Sequence, residues 1–220
     1  LLKDRGMNTV RLRVWVNPSN HTIDGHCSTE ETVAMAVRAQ KMGMRIMINF
    51  HYSDSWADPS KQNKPLAWAN HTVAQLKEDV YNHTLEVLTA LKQAGVTPEW
   101  VQVGNEIPGG MLWPEGSTNN WSQLAQFLNS GYDAVKAVNP KIKVVVHVDE
   151  GNNNAKFRVF FDNATTQNVK YDIIGLSYYP YWIKKDYTET IADLAANLND
   201  MVARYNKDVM VVEVGGEYDK

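Results

Sequence analysis

Trp100-Val101-Gln102-Val103-Gly104-Asn105-Glu106 and Asp208-Val209-Met210-Val211-Val212-Glu213 are the stretches whose reading decides the fold. Each is a short, nearly continuous apolar run, the pattern of a strand covered on both faces, as in a parallel sheet. Each also ends in a glutamate. An ionised carboxylate at the end of such a strand is costly unless it is paired or used. A buried ion pair with an arginine accounts for one such residue. Two at matching strand ends point instead to a site.

Working outward, similar runs recur at residues 9–16, 45–50, 143–148 and 172–177. Helical patterns lie between them. Ser28 and Glu31 form a capping-box pair before a helix carrying Val33, Ala36, Val37 and Ala39, which Gly43 stops. Longer helices are expected over residues 73–94, 121–138, 155–168 and 188–205. Strands alternating with helices predict a parallel α/β sheet, and no linker or repeat divides residues 1–220, so one domain is expected. An open doubly wound sheet and a (β/α)8 barrel compete. No glycine-rich phosphate loop supports the first. Polar residues collect where strands end, at Arg13, His51, Asn105-Glu106, His147 to Asp149, Ser177 to Tyr179, and Glu213. In a TIM barrel those ends meet at one mouth. The reading is therefore a (β/α)8 barrel, with six of its eight strands in view.

Two strand-end carboxylates suit glycoside hydrolysis. One must be protonated to hand its proton to the leaving oxygen; the other must be ionised to attack the sugar. In retaining enzymes they stand about 5–5.5 Å apart. Asn105 is placed to bond a sugar hydroxyl. Period-two counting puts Arg13 on the same face as Arg11 and Trp15, and Arg13 is expected to hold the nucleophile ionised. His51 and Asp54, in Phe50-His51-Tyr52-Ser53-Asp54, are expected to face the substrate or the acid. One of Tyr178 and Tyr179 is expected to donate to Glu213, and alternation does not settle which. Trp56, Trp113 and Trp182 fall in loops after strands, where rings can stack on sugar faces. A metal-hydrolase reading of His51, Asp54, Asp58, His147 and Asp149 lacks the tight His-x-His spacing such a site uses.

These motifs resemble glycoside hydrolase family 53, the arabinogalactan endo-β-1,4-galactanases. The resemblance rests on Arg5-Gly-Met-Asn-Thr-Val-Arg-Leu-Arg-Val-Trp15 with Asn17-Pro18, and on Phe50-His-Tyr-Ser-Asp-Ser-Trp-Ala-Asp-Pro59. It continues in Val103-Gly-Asn-Glu-Ile107 with Leu112-Trp-Pro114, Ser177-Tyr-Tyr-Pro180 and Val211-Val-Glu213. It implies Glu106 as acid/base and Glu213 as nucleophile, with Asn105, His51 and Arg13 lining the central subsite and Asp149 binding sugar further out. It implies β-1,4-galactan of pectin side chains as substrate, cut in mid-chain. The six strands would be the second to seventh of the family barrel, so the first and last are expected outside residues 1–220. No metal or other cofactor is implied among these residues; a calcium site, which bacterial members carry, would belong to the part after residue 220. An aromatic expected soon after Asp149 is replaced by Glu150-Gly-Asn-Asn-Asn154. Two alternatives stay open on the residues alone. One is a clan relative acting on another β-linked polysaccharide. The other is an incomplete barrel that binds galactan with little or no turnover.

Composition narrows the partners. A formal charge of −3 argues against nucleic acid and anionic membranes. No apolar run is long enough to span a bilayer. Seven Trp and ten Tyr supply rings for sugar stacking. The single cysteine, Cys27, excludes an internal disulfide. Residues 1–6 lack the layout of a signal peptide and read as a last helical turn stopped at Gly6. A polysaccharide substrate and Asn-X-Ser/Thr triplets at Asn20, Asn70, Asn82, Asn120 and Asn163 suit an extracellular or periplasmic protein. Exposed outer edges of a partial barrel are expected to favour self-association.

Overall fold

The structure, a computed structural model, describes residues 3–18 and 25–216. Six strands, β1 (Thr9–Val14), β2 (Arg45–Phe50), β3 (Trp100–Val103), β4 (Lys143–Val148), β5 (Ile173–Tyr178) and β6 (Asp208–Val214), form one sheet in chain order. Every neighbouring pair is parallel. The crossovers carry α1 (Thr29–Lys41), α2 (Val73–Gln93), α3 (Trp121–Val138), α4 (Asn154–Thr166), a one-turn α5 (Pro180–Ile183) and α6 (Tyr187–Tyr205). This is the expected run of consecutive (β/α)-barrel strands, curled far enough that β1 and β6 lie within side-chain reach across the lumen.

Alternation along the strands sorts the residues into an outer and an inner set. The outer set, including Leu12, Val14, Ile46, Ile48, Val101, Val103, Val144, Val146, Ile174 and Leu176, packs against the helices in the main core. The inner set is layered. Met47, Trp100, Val145 and Ile173, with Met210 and Val212, close the base of the lumen in a separate apolar cluster. One pleat higher β2, β3 and β4 present Asn49, Gln102 and His147, all wholly buried, and β1 adds Arg11. The next pleat reaches the mouth with Arg13, His51, Asp149 and Ser177. On β6 the register slips between Leu176 and Ser177, so that Val211 faces Leu176 but Glu213 faces Ser177. The extra residue turns Glu213 inward, where strict alternation after Met210 and Val212 would turn it out.

The helix signals act locally as read. Ser28 Oγ accepts from Glu31 N while Glu31 returns the bond to Ser28 N. Thr72 with Gln75, and Asp186 with Glu189, repeat this box at α2 and α6. Gly43 and Gly95 follow α1 and α2 with φ of 70° and 77°, a left-handed turn that glycine makes without Cβ strain. Residues 3–5 form a 3-10 turn ended by Gly6. Asn70, Asn82 and Asn120 are exposed, Asn163 is half-buried in α4, and Asn20 lies outside the described residues. Among the described residues, no helix is long and apolar enough to cross a membrane.

Helix α3 meets β3 closely at Gly131. Alanine in a helix interior normally gains about 1 kcal/mol over glycine. Here an added Cβ would stand 2.7 Å from Val103 Cγ1 and 3.1 Å from Tyr52 Oη. Gly131→Ala is therefore expected to lower stability, by about 1–3 kcal/mol, in urea unfolding. A gain would show that α3 has room to spare over the barrel.

Candidate active site

Glu106 follows β3 in a left-handed backbone conformation, with φ of 44°. For a non-glycine residue that conformation carries strain and needs to be held. Gln62, buried in the loop after β2, holds it with Nε2 donating to the carbonyls of Asn105 (2.9 Å) and Glu106 (3.0 Å). On the other side, the Glu106 N–H donates to His147 Nδ1 at 3.2 Å. The side chain is thereby aimed into a cavity of about 520 Å³. Asp58, Asp149, Glu150, Ser177, Tyr179, Trp182 and Glu213 also line it.

The two glutamates sit in contrasting surroundings. Glu106 is partly buried, and Ser177 Oγ donates to its Oε1 at 2.6 Å. Burial pushes its carboxyl up to about 7; the Ser177 bond opposes this, and the negative charges of Glu213 and Asp149 add to it. Glu213 instead meets a cation. Arg11 Nη1 stands 2.7 Å from its Oε1, and Tyr179 Oη donates to its Oε2 at 3.0 Å. Burial lowers the Arg11 pKa while Glu213 raises it, and the group stays a cation at any ordinary pH. The Tyr179 phenol is pushed up by burial and by the charge of Glu213, so it remains a donor. One carboxyl is thus held toward its protonated form near neutral pH while the other is paired with a cation, the contrast that an acid/base and a nucleophile need.

Several expected residues come together here and others do not. Asn105 is buried beneath Glu106: its Oδ1 accepts from Arg11 Nη2 (2.8 Å) and Asn49 Nδ2 (2.9 Å), and its Nδ2 donates to Ala57 O (2.8 Å). His51 is buried next to it, accepting from Ala57 N at Nδ1 and lying 3.1 Å from Asn49 Nδ2. Burial and the nearby Arg11 and Arg13 depress its pKa to about 3, so it is neutral. Asp149 lines the cavity but is paired with Lys156, whose Nζ stands 2.8 Å from both its carboxylate oxygens. Trp56 is 40% exposed at the mouth, and Trp182, on α5, is 73% exposed.

Four expectations need correction. The cation on Glu213 is Arg11, not Arg13. Both point inward, but Arg13 is a pleat nearer the mouth, where its guanidinium lies 4.2 Å from the centre of the Trp56 ring. Tyr178 turns away from the cleft: its Oη pairs with Thr190 Oγ1 on α6 at 2.6 Å, so Tyr179 alone reaches Glu213. Asp54 accepts from Asn17 N (2.9 Å) and Leu66 N (2.8 Å), tying two loops together rather than facing the cavity. Trp113 donates from Nε1 to Gly109 O and packs on Gly109, away from the cavity lining. Among the described residues, no three His, Cys, Asp or Glu side chains converge as metal ligands. Sequence reasoning missed Gln62 and Gln102 as parts of the site and placed Ser177 at the mouth without giving it a role. Alternation marks Gln102 and Ser177 as inward-facing, but nothing local marks Gln62.

The sequence profile of glycosyl hydrolase family 53 matches residues 1–220. The arabinogalactan endo-beta-1,4-galactanase of Humicola insolens is 39% identical over 219 residues, covering 97% of this chain and 64% of that protein. The "uncharacterized protein in bgaB 5′ region" of Niallia circulans is 42% identical over 221 residues, covering 97% of this chain and 58% of that protein. Among solved structures, the Ignisphaera aggregans GH53 catalytic domain superposes with a TM-score of 0.89 at 40% identity, over 97% of this chain and 59% of that one. The chain thus spans about three fifths of the length of the relatives it matches.

Arg11 also donates from Nε and Nη2 to Gln102 Oε1 at 3.1 and 3.0 Å. Arg11→Met would take a charged donor from each of Glu213, Gln102 and Asn105. It is expected to cost about 2–4 kcal/mol of stability in urea unfolding. A cost below 0.5 kcal/mol, on the order of a surface pair, would show that solvent readily replaces it.

Proposed function

The chain belongs to glycosyl hydrolase family 53, and on that premise we propose that it carries the catalytic centre of a retaining endo-β-1,4-galactanase acting on the galactan side chains of pectin. The observation that supports this most is the pair of glutamates facing one cavity in opposite electrostatic settings. The fungal relatives named as galactanases point to the same substrate.

The reaction is a double displacement. Glu213, oriented by Arg11 and Tyr179, attacks the anomeric carbon of a galactosyl unit. The anomeric carbon–oxygen bond breaks as Glu106 gives its proton to the departing oxygen. A covalent galactosyl-enzyme results. Glu106, now a carboxylate, takes a proton from water, and the hydroxide oxygen displaces Glu213. Two inversions leave the β configuration. The exposed rings of Trp56 and Trp182 suit the apolar faces of successive galactose units. This chemistry needs no metal. Because a long polysaccharide does not cross membranes, the protein acts outside the cytoplasm, in the extracellular space or periplasm. A chain of these 220 residues alone would leave the outer edges of β1 and β6 unpaired and Val211 and Val214 exposed, which favours association of copies.

Digestion of purified β-1,4-galactan, with products sized, tests the proposal. The wild-type chain is expected to release short galacto-oligosaccharides, while Glu106→Gln and Glu213→Gln each lose at least about 10³-fold in turnover. Unchanged rates in either variant would remove that residue from its role. The pH dependence has a fixed sign. Glu106 must be protonated in the first step, so kcat/KM should hold below about 7 and fall as pH rises through that value. A profile flat from pH 6 to 9 would exclude Glu106 as the acid.

A further inference from the structure

Two inward residues, Ser177 on β5 and His147 on β4, are not used by the steps above, yet both bond to Glu106. His147 is wholly buried. Its Nδ1 receives the Glu106 N–H at 3.2 Å and lies 2.9 Å from Gln102 Nε2. Its Nε2 is 2.7 Å from Ser177 Oγ, which is 2.6 Å from Glu106 Oε1. One imidazole therefore touches Glu106 twice, at the backbone directly and at the carboxyl through a serine.

The direction of each bond follows from groups that have no choice. A guanidinium only donates. Arg11 bonds Gln102 through Oε1, so the Gln102 amide turns its NH2 toward His147. A backbone N–H also only donates. His147 Nδ1 thus faces two donors and carries no hydrogen. Burial holds the imidazole neutral, which places its one N–H at Nε2. That N–H donates to Ser177 Oγ, and the serine hydrogen is left pointing at Glu106 Oε1.

We propose that His147 and Ser177 are positioning residues for Glu106, closing a hydrogen-bonded ring that fixes its carboxyl and makes Oε2 the oxygen that carries the transferable proton. Oε1 accepts from Ser177 whether Glu106 is charged or neutral. A proton on Oε1 would point at the serine hydrogen. The acid proton therefore resides on Oε2, clear of the serine. Because the serine bond favours the charged form, it also keeps Glu106 able to act as a base in the second step. The assignment rests on the reading of Glu106 as acid/base, and the test separates the two.

The test is a carboxyl ¹³C NMR titration of protein labelled at glutamate, with Glu106 assigned by its loss in Glu106→Gln, on wild type, Ser177→Ala and Ser177→Thr. Alanine at 177 removes the donor without crowding the lumen; threonine keeps the hydroxyl. Ser177→Ala is expected to move the Glu106 titration up by about one unit and to lower kcat about tenfold with KM little changed. Ser177→Thr is expected to return both toward wild type. A Glu106 titration in Ser177→Ala that coincides with wild type overturns the proposal. A wild-type Glu106 that titrates near 4.5 would instead undo its reading as the acid, and the effect of Ser177→Ala would still be read on that curve.

Discussion

The contact between Arg11 and Glu213 joins the first and last strands of the sheet across its lumen. No backbone hydrogen bond links these two strands in the described residues, so side chains alone span the gap on this side. The arginine supplies donors and no acceptor, in a rigid planar fork. Its Nε and Nη2 groups donate to Gln102 and Asn105. A single cation below the mouth thereby pairs with one carboxylate and, through Gln102 and His147, sets the bonding direction around the other glutamate.

That arrangement explains why the lumen is polar at mid-height and apolar at its base. Met47, Trp100, Val145 and Ile173 seal the bottom without needing partners. Asn49, Gln102 and His147 above them are buried and hydrogen-bonded, with Asn49 Oδ1 alone among their side-chain polar atoms left without a partner. Their bonds converge on Arg11, Asn105 and Ser177. The result is a stiff support whose upper surface presents Glu106 and Glu213. Two local irregularities complete the aim: a left-handed backbone at Glu106 and a register slip before Glu213. Both are departures from regular strand geometry at the positions where chemistry is expected.

The alternating fold was legible because each element carries its own signal. Capping boxes, stop glycines and β-branched runs are local, and they gave the strands and helices nearly residue by residue. The two glutamates were legible for the opposite reason: they break the apolar pattern at strand ends. What the sequence hid is set by height and by loops. Arg11 and Arg13 share a face, so alternation cannot rank them, and only the depth of the pleat gives Glu213 to Arg11. Tyr178 and Tyr179 are neighbours, and the slip in β6 together with Thr190 on α6 decides between them. Asp54 reads as substrate-facing beside His51 but serves backbone N–H groups of two loops. Gln62 lies 44 positions from the carbonyl of Glu106 it holds, and no periodicity reaches that far.

The pairing across the lumen is tested most directly by a double-mutant cycle on unfolding free energy, using Arg11→Met, Glu213→Gln and the double variant. If Arg11 and Glu213 act as one unit, the double variant should cost less than the two singles together, with a coupling of about 1–3 kcal/mol. Additive costs, with coupling below about 0.5 kcal/mol, would mean that the two strands are positioned by something else and that Arg11 is not the support of the site.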